Sequence, residues 1–182
     1  MLAFVVAIST NIVYASHDSW TSSWTESEQE FYCHSNLSSL DITTTVTDST
    51  CDIIADAAVD WSNVANSDWE LTESSSSAID FKSANLGTNG LVGRANLSGV
   101  GWIYAATVEF NTEVTFGDSN SESNVYDLIT IVKHEMGHLP QLHHNSHSGE
   151  QNTSVMRQGS DIGQSAQRTI TSSDATALAN KY

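Results

Sequence analysis

Positive charge is scarce in this chain: 182 residues carry six Lys and Arg against 22 Asp and Glu, a formal net charge of −16. Phosphate backbones and anionic bilayers are gripped by clustered basic side chains, so nucleic acid and anionic membrane surfaces are excluded as partners. Such acidity keeps a protein soluble and is compatible with a high-salt habitat. Cysteine is nearly absent as well, with two residues, Cys33 and Cys51. Two thiols cannot make a disulfide-dense scaffold, and a chain of this length buries a core without one. They suit one structural disulfide in an exported protein. Long apolar runs are missing: a bilayer span takes ~20 residues, and residues 1–15, uncharged and apolar, fall short of it. Those residues end in Val13-Tyr14-Ala15, which fits a signal peptide cleaved before Ser16 and leaves residues 16–182 as one secreted, monomeric domain. The absence of Lys or Arg at their start leaves a first strand as the alternative.

What is present is patterned. Residues 16–30 are polar and read as an exposed leader, with Glu30 to Cys33 opening a first strand. From Asp48, Ile54, Ala58, Trp61 and Val64 recur at helical spacing, with Asp48 or Ser49 as cap. Residues 69–72 and 78–81 read as short strands, 87–93 as a Gly-punctuated loop, and 102–110 as one or two strands near a sheet edge. A second helix buries Val125, Leu128, Ile129, Val132 and Met136. A last helix starts at Ser172 or Ser173 with Asp174 in its first turn and runs through Leu178. Three Asn-x-Ser/Thr sequons, at Asn36, Asn96 and Asn152, match chance expectation in so Ser/Thr-rich a chain. Hard cations prefer carboxylate oxygens, which makes calcium a possible second ion, with Asp118-Ser119-Asn120-Ser121-Glu122 the densest local cluster.

The chemistry sits in His134-Glu135-Met136-Gly137-His138-Leu139-Pro140-Gln141-Leu142-His143-His144. Residues four apart share a helix face, so His134 and His138 can aim two imidazoles at one metal while Glu135 stands beside them. A catalytic zinc takes three protein ligands and keeps one position for water, and His144 is placed to be the third, with His143 as alternative. His17, His34 and His147 are expected in solvent.

This run resembles the metzincin signature H-E-x-x-H-x-x-G-x-x-H, and Ser154-Val155-Met156 resembles the Met-turn that follows it, most closely in the matrixin branch. The resemblance implies an α+β, zincin-like catalytic domain: a twisted mixed sheet, an active-site helix, a packing helix and a C-terminal helix, with a cleft beneath an edge strand, here residues 108–111. It implies a secreted zinc endopeptidase acting on a peptide or protein substrate, with His134, His138 and His144 on Zn2+, Glu135 as general base and Met156 as the floor beneath the metal. It also raises Cys33 as an inhibitory zinc ligand of the matrixin propeptide kind. The surrounding Pro-Arg-Cys-Gly motif is absent, and the disulfide is preferred.

The chain departs from the pattern in two places. Gln141 stands where the family has Gly, a residue that leaves the helix with a positive φ, and Pro140 ends the helix after His138 by steric means. The turn towards His144 should therefore hold a strained φ at Gln141 or its neighbour. The Tyr-Pro pair that shapes the family's specificity pocket is replaced by Arg157-Gln158. Three rival readings stay open: a zinc-binding domain of this fold with weak or lost catalysis, a gluzincin-like hydrolase with Glu150 as third ligand, and an acidic interaction protein whose motif is accidental.

Overall fold

A computed structural model describes the backbone of residues 4–7 and, in full, residues 23–145 and 152–182. Most of the proposed signal peptide, together with His17, His147 and Glu150, lies outside the described residues. The fold is mixed α and β, with three α-helices and a mostly parallel sheet.

The strands in chain order are β1 (Phe4–Ala7), β2 (Ser23–Trp24), β3 (Glu28–Cys33), β4 (Asp41–Ile42), β5 (Glu70–Glu73), β6 (Ile79–Ala84), β7 (Gly93–Val100), β8 (Trp102–Asn111), β9 (Thr115–Gly117) and β10 (Tyr126–Asp127). The main sheet has seven strands in the order β1-β7-β8-β6-β3-β5, with β2 also on β8. Only β1 on β7 and β7 on β8 are antiparallel. The parallel pairs are β8 with β6, β6 with β3, β3 with β5, and β2 with β8. A smaller parallel sheet runs β10-β9-β4.

Alternation explains the sheet's two faces. In β6, Ile79, Phe81 and Ser83 are buried while Asp80, Lys82 and Ala84 are partly exposed, as a strand with a period of two requires. Phe81 meets Phe31 edge-on at 5.5 Å and stacks with Phe110 at 6.4 Å, so three neighbouring strands share one aromatic layer. On the other face Glu109 is held by Arg94, Lys82 and Asn96.

Three helices complete the core: α1 (Thr50–Ser62), α2 (Leu128–Gly137) and α3 (Ser172–Ala179). Ser49 caps α1 in a reciprocal capping box with Asp52. The face carrying Ile54, Ala58 and Trp61 is buried, and Trp61 Nε1 donates to the Lys133 carbonyl at 3.0 Å, which locks α1 against α2. The Cys33–Cys51 disulfide ties β3 to the first turn of α1, and among the described residues no cysteine is free, so Cys33 is not an available metal ligand.

Several expectations are corrected. Residues 23–30 are not a leader: β2 and β3 enter the sheet there and Trp24 is buried, its Nε1 donating to Leu139 O at 2.8 Å. Residues 108–111 are not an edge, because β8 is flanked by β6 and β7 along its length. The strand on that side is β7, which the sequence had hidden among glycines. Residues 4–7, inside the segment read as a signal peptide, pair with β7 from Phe4↔Leu97 to Ala7↔Arg94. The α3 cap is Thr171, one residue earlier than expected. His34 is half-buried and caps a 3₁₀ turn over Ser35–Ser39, its Nδ1 accepting from Asn36 N at 3.2 Å. No helix among the described residues is long and apolar enough to cross a membrane.

Candidate metal centre

Helix α2 carries the centre because its first turn is pinned. Asp127, fully buried, caps it by accepting from Thr130 N at 2.9 Å. Arg168 in turn clasps Asp127 and Asp118. In the acidic stretch raised for calcium, Asp118 faces a guanidinium, and the His group below is the one cluster of three or more His, Cys, Asp or Glu ligands found among the described residues.

Leu128, Ile131, Val132 and Met136 face the core with no exposure, which leaves His134, Glu135 and His138 in a buried position between helix and sheet. The helix ends at Gly137, and His138 is its C-cap. Gln141 then takes φ +65°, the left-handed conformation that the missing glycine requires. Its amide donates to His138 O at 2.8 Å and Leu142 N to Gly137 O at 3.3 Å, so the helix's last carbonyls are satisfied as the chain reverses.

That reversal delivers His144. Its ring lies 5.1 Å from His134 and 5.0 Å from His138, and those two are 4.7 Å apart. The nitrogen atoms that the three imidazoles offer all lie within 4.8 Å of one another. His143 is exposed and stands outside the group.

The hydrogen-bond pattern tells which nitrogens are offered. His134 Nδ1 faces Val155 O at 2.7 Å and His138 Nδ1 faces Leu142 O at 2.8 Å. A carbonyl only accepts, so each Nδ1 carries the proton and each Nε2 is left as a lone pair. The two Nε2 atoms are 3.1 Å apart, and His144 Nε2 is buried with no hydrogen-bond partner. Lone pairs converging in a buried space are repulsive unless a cation lies among them. The residues present therefore fit a metal ion, and the three-histidine group could hold one.

Electrostatics agree. Burial, then the charge of His144, lowers the His134 pKa to about 3. Burial, then His134 and His144, holds His138 well below its ordinary value. Burial and His143 bring His144 down to about 4. All three imidazoles are neutral at neutral pH, the form that binds metal. Burial pushes the Glu135 carboxyl well above its ordinary range. The Ala95 backbone amide of β7 pulls the other way, and neither Glu135 oxygen has a side-chain hydrogen-bond partner among the described residues.

Glu135 lies against β7. A methyl group added at Gly93 would stand 3.0 Å from Glu135 Oε1, 3.1 Å from its Cγ and 3.2 Å from Ile131 Cγ2. The strand and the carboxylate thus share a space that no further atom fits without displacement. From the other side comes Ser154-Val155-Met156. Met156 is buried against Gly137, where an added methyl would meet its Sδ at 2.3 Å. Asn145 N donates to Met156 O at 2.6 Å, so the chain after His144 and the Met-containing turn are joined directly.

The residues named from the sequence, His134, Glu135, His138, His144 and Met156, are thus assembled in one region. Sequence reasoning missed the support: Gly93, Asp174 and Lys181. Asp174 had a signal, since Thr171-x-x-Asp174 has the capping-box spacing. Lys181 and Gly93 had none, because their partners lie 40 or more residues away. No protein-family model matches the sequence, and no curated protein matches it.

Proposed function

We propose that the chain is a secreted zinc-dependent endopeptidase with a metzincin, matrixin-like catalytic domain. One observation carries this reading: a buried carboxylate without a side-chain partner, Glu135, stands on the same helix as two imidazoles whose lone pairs converge with that of a third. Three neutral nitrogen ligands with an adjoining general base are what a hydrolytic zinc site requires, and a purely structural site is closed by a fourth protein ligand instead. A zinc ion held there supplies Lewis acidity, polarising a scissile carbonyl and making water more acidic. Glu135 takes the proton of the attacking water and returns it to the leaving amine. In a secreted form without residues 1–15, strand β7, whose Gly93 touches Glu135, would lose its β1 partner and become the edge along which an extended peptide would lie.

The deciding experiment is zinc quantitation with casein or gelatin cleavage, wild type beside Glu135→Ala. The expected result is about one zinc per chain in both proteins and at least a ~10²-fold loss of cleavage in the variant. Zinc without cleavage in the wild type would instead mark a binding domain of this fold. Full activity after removal of metal by a strong chelator would end the proposal.

A further inference from the structure

The two stretches whose carbonyls orient His134 and His138 are themselves held, one from the start of α3 and the other from Lys181, just beyond its end. Asp174, buried at the start of that helix, accepts from Ser154 Oγ at 2.6 Å and from Val155 N at 3.0 Å, besides the Thr171 amide at 3.1 Å and hydroxyl at 2.9 Å. Four donors exhaust the good acceptor directions of one carboxylate, so the Val155 peptide is fixed, and its carbonyl faces His134 Nδ1. At the other end, Lys181 Nζ donates to Gln141 Oε1 at 2.9 Å. Gln141 is the left-handed residue immediately before Leu142, whose carbonyl faces His138 Nδ1. Between the two, Ser173 receives the Asn145 side-chain amide at 2.7 Å, next to His144.

We infer that Asp174 and Lys181 are positioning residues of the metal centre, each acting on one histidine: Asp174 through Val155 on His134, and Lys181 through the Gln141 turn on His138. A non-glycine residue in the left-handed region is strained, and the turn persists because Gln141's side chain is anchored where glycine would have none. This rests on the metal-binding part of the proposed function and is independent of peptide hydrolysis, so its failure and that of the peptidase reading are distinguishable.

The test uses the full chain and two readouts: zinc release to a chelator, and imidazole tautomers by ¹⁵N NMR of the metal-free protein. Asp174→Asn keeps the shape but sets an amide N–H against donors. It should speed zinc release about 10- to 100-fold and disturb the Nδ1–H tautomer of His134 while leaving that of His138. Lys181→Met should act more weakly and on His138 alone, and Lys181→Arg, which can still donate to Gln141, should restore wild-type values. In a Gln141→Gly background Lys181→Met should add nothing further, since the anchor is then idle. If Asp174→Asn fails to fold, the Lys181 and Gln141 variants still decide. Equal disturbance of both imidazoles by either variant, unchanged zinc release, or failure of Lys181→Arg to rescue would each overturn the inference.

Discussion

Helices α1 and α2 lie against each other, begin with side-chain caps and bury one face, yet they treat polar groups oppositely. On α1 the fully buried face is aliphatic and aromatic, and its one indole N–H donates to a carbonyl. On α2 the buried set includes His134 and Glu135, with His138 at its cap, and neither Glu135 oxygen has a side-chain partner among the described residues. Leaving a polar group buried and unpaired costs about 1–3 kcal/mol. One helix therefore supplies stability and its neighbour spends some of it on a group of buried polar side chains that could hold a metal ion, as functional sites commonly do.

The largest test of that contrast is Trp61→Ala. The indole is fully buried and bridges α1 to α2, so the loss should be about 3–5 kcal/mol by chemical denaturation, with any folded fraction still taking up zinc. Next is the Cys33→Ser, Cys51→Ser pair, which unties α1 from β3. Closing this loop is worth roughly 3 kcal/mol, so melting should come earlier at unchanged zinc content; free thiols in the denatured wild type would refute the bond.

Glu135→Met should go the other way. Replacing a desolvated carboxyl by an apolar chain of similar length should raise metal-free stability by about 1–3 kcal/mol while abolishing hydrolysis. A loss of stability would mean that Glu135 is better satisfied than its surroundings indicate, and the contrast between the helices would fail.

The smallest effect concerns the clasp before α2. The Arg168 hydrogen bond, followed by the Asn120 amide, holds the Asp118 pKa below its ordinary 3.8. The folded state then binds fewer protons than the unfolded chain, so this stabilisation is complete above pH 3.8 and disappears as pH falls through the folded value. The stability gap between wild type and Arg168→Met, followed by urea unfolding from pH 6 to pH 2, should narrow on the acid side.

Much of the contrast was legible in the residues. Ser49 with Asp52, the helical recurrence of Ile54, Ala58 and Trp61, and the His134–His138 spacing are local signals, and local physics decides them. The positive φ at Gln141 was legible too, since a chain that must reach His144 so soon after the helix has few other ways to turn. Strand pairing was not. β7 alternates Ala95 and Leu97 with Arg94, Asn96 and Ser98 between glycines, a pattern that loops share, and the central place of β8 is fixed by β6 and β7 rather than by its own composition. The two-residue strands β4 and β10 are too short to carry any period. Likewise, nothing near Val155 or Gln141 announces that Asp174 and Lys181 support them from 19 and 40 residues away.

Gly93 carries a consequence for how this sequence can vary. Its backbone is ordinary strand, so alanine or serine would suit the local conformation, and a survey of variants for folding alone should tolerate them. The obstacle is Glu135, whose carboxylate occupies the space where a side chain would begin. Even one methyl group would shift it by a few tenths of an ångström, and the rate of the proposed hydrolysis would depend on that placement. Selection for hydrolysis would thus hold position 93 to glycine where selection for the fold would not, and a lineage that gave up the chemistry would be free to fill it.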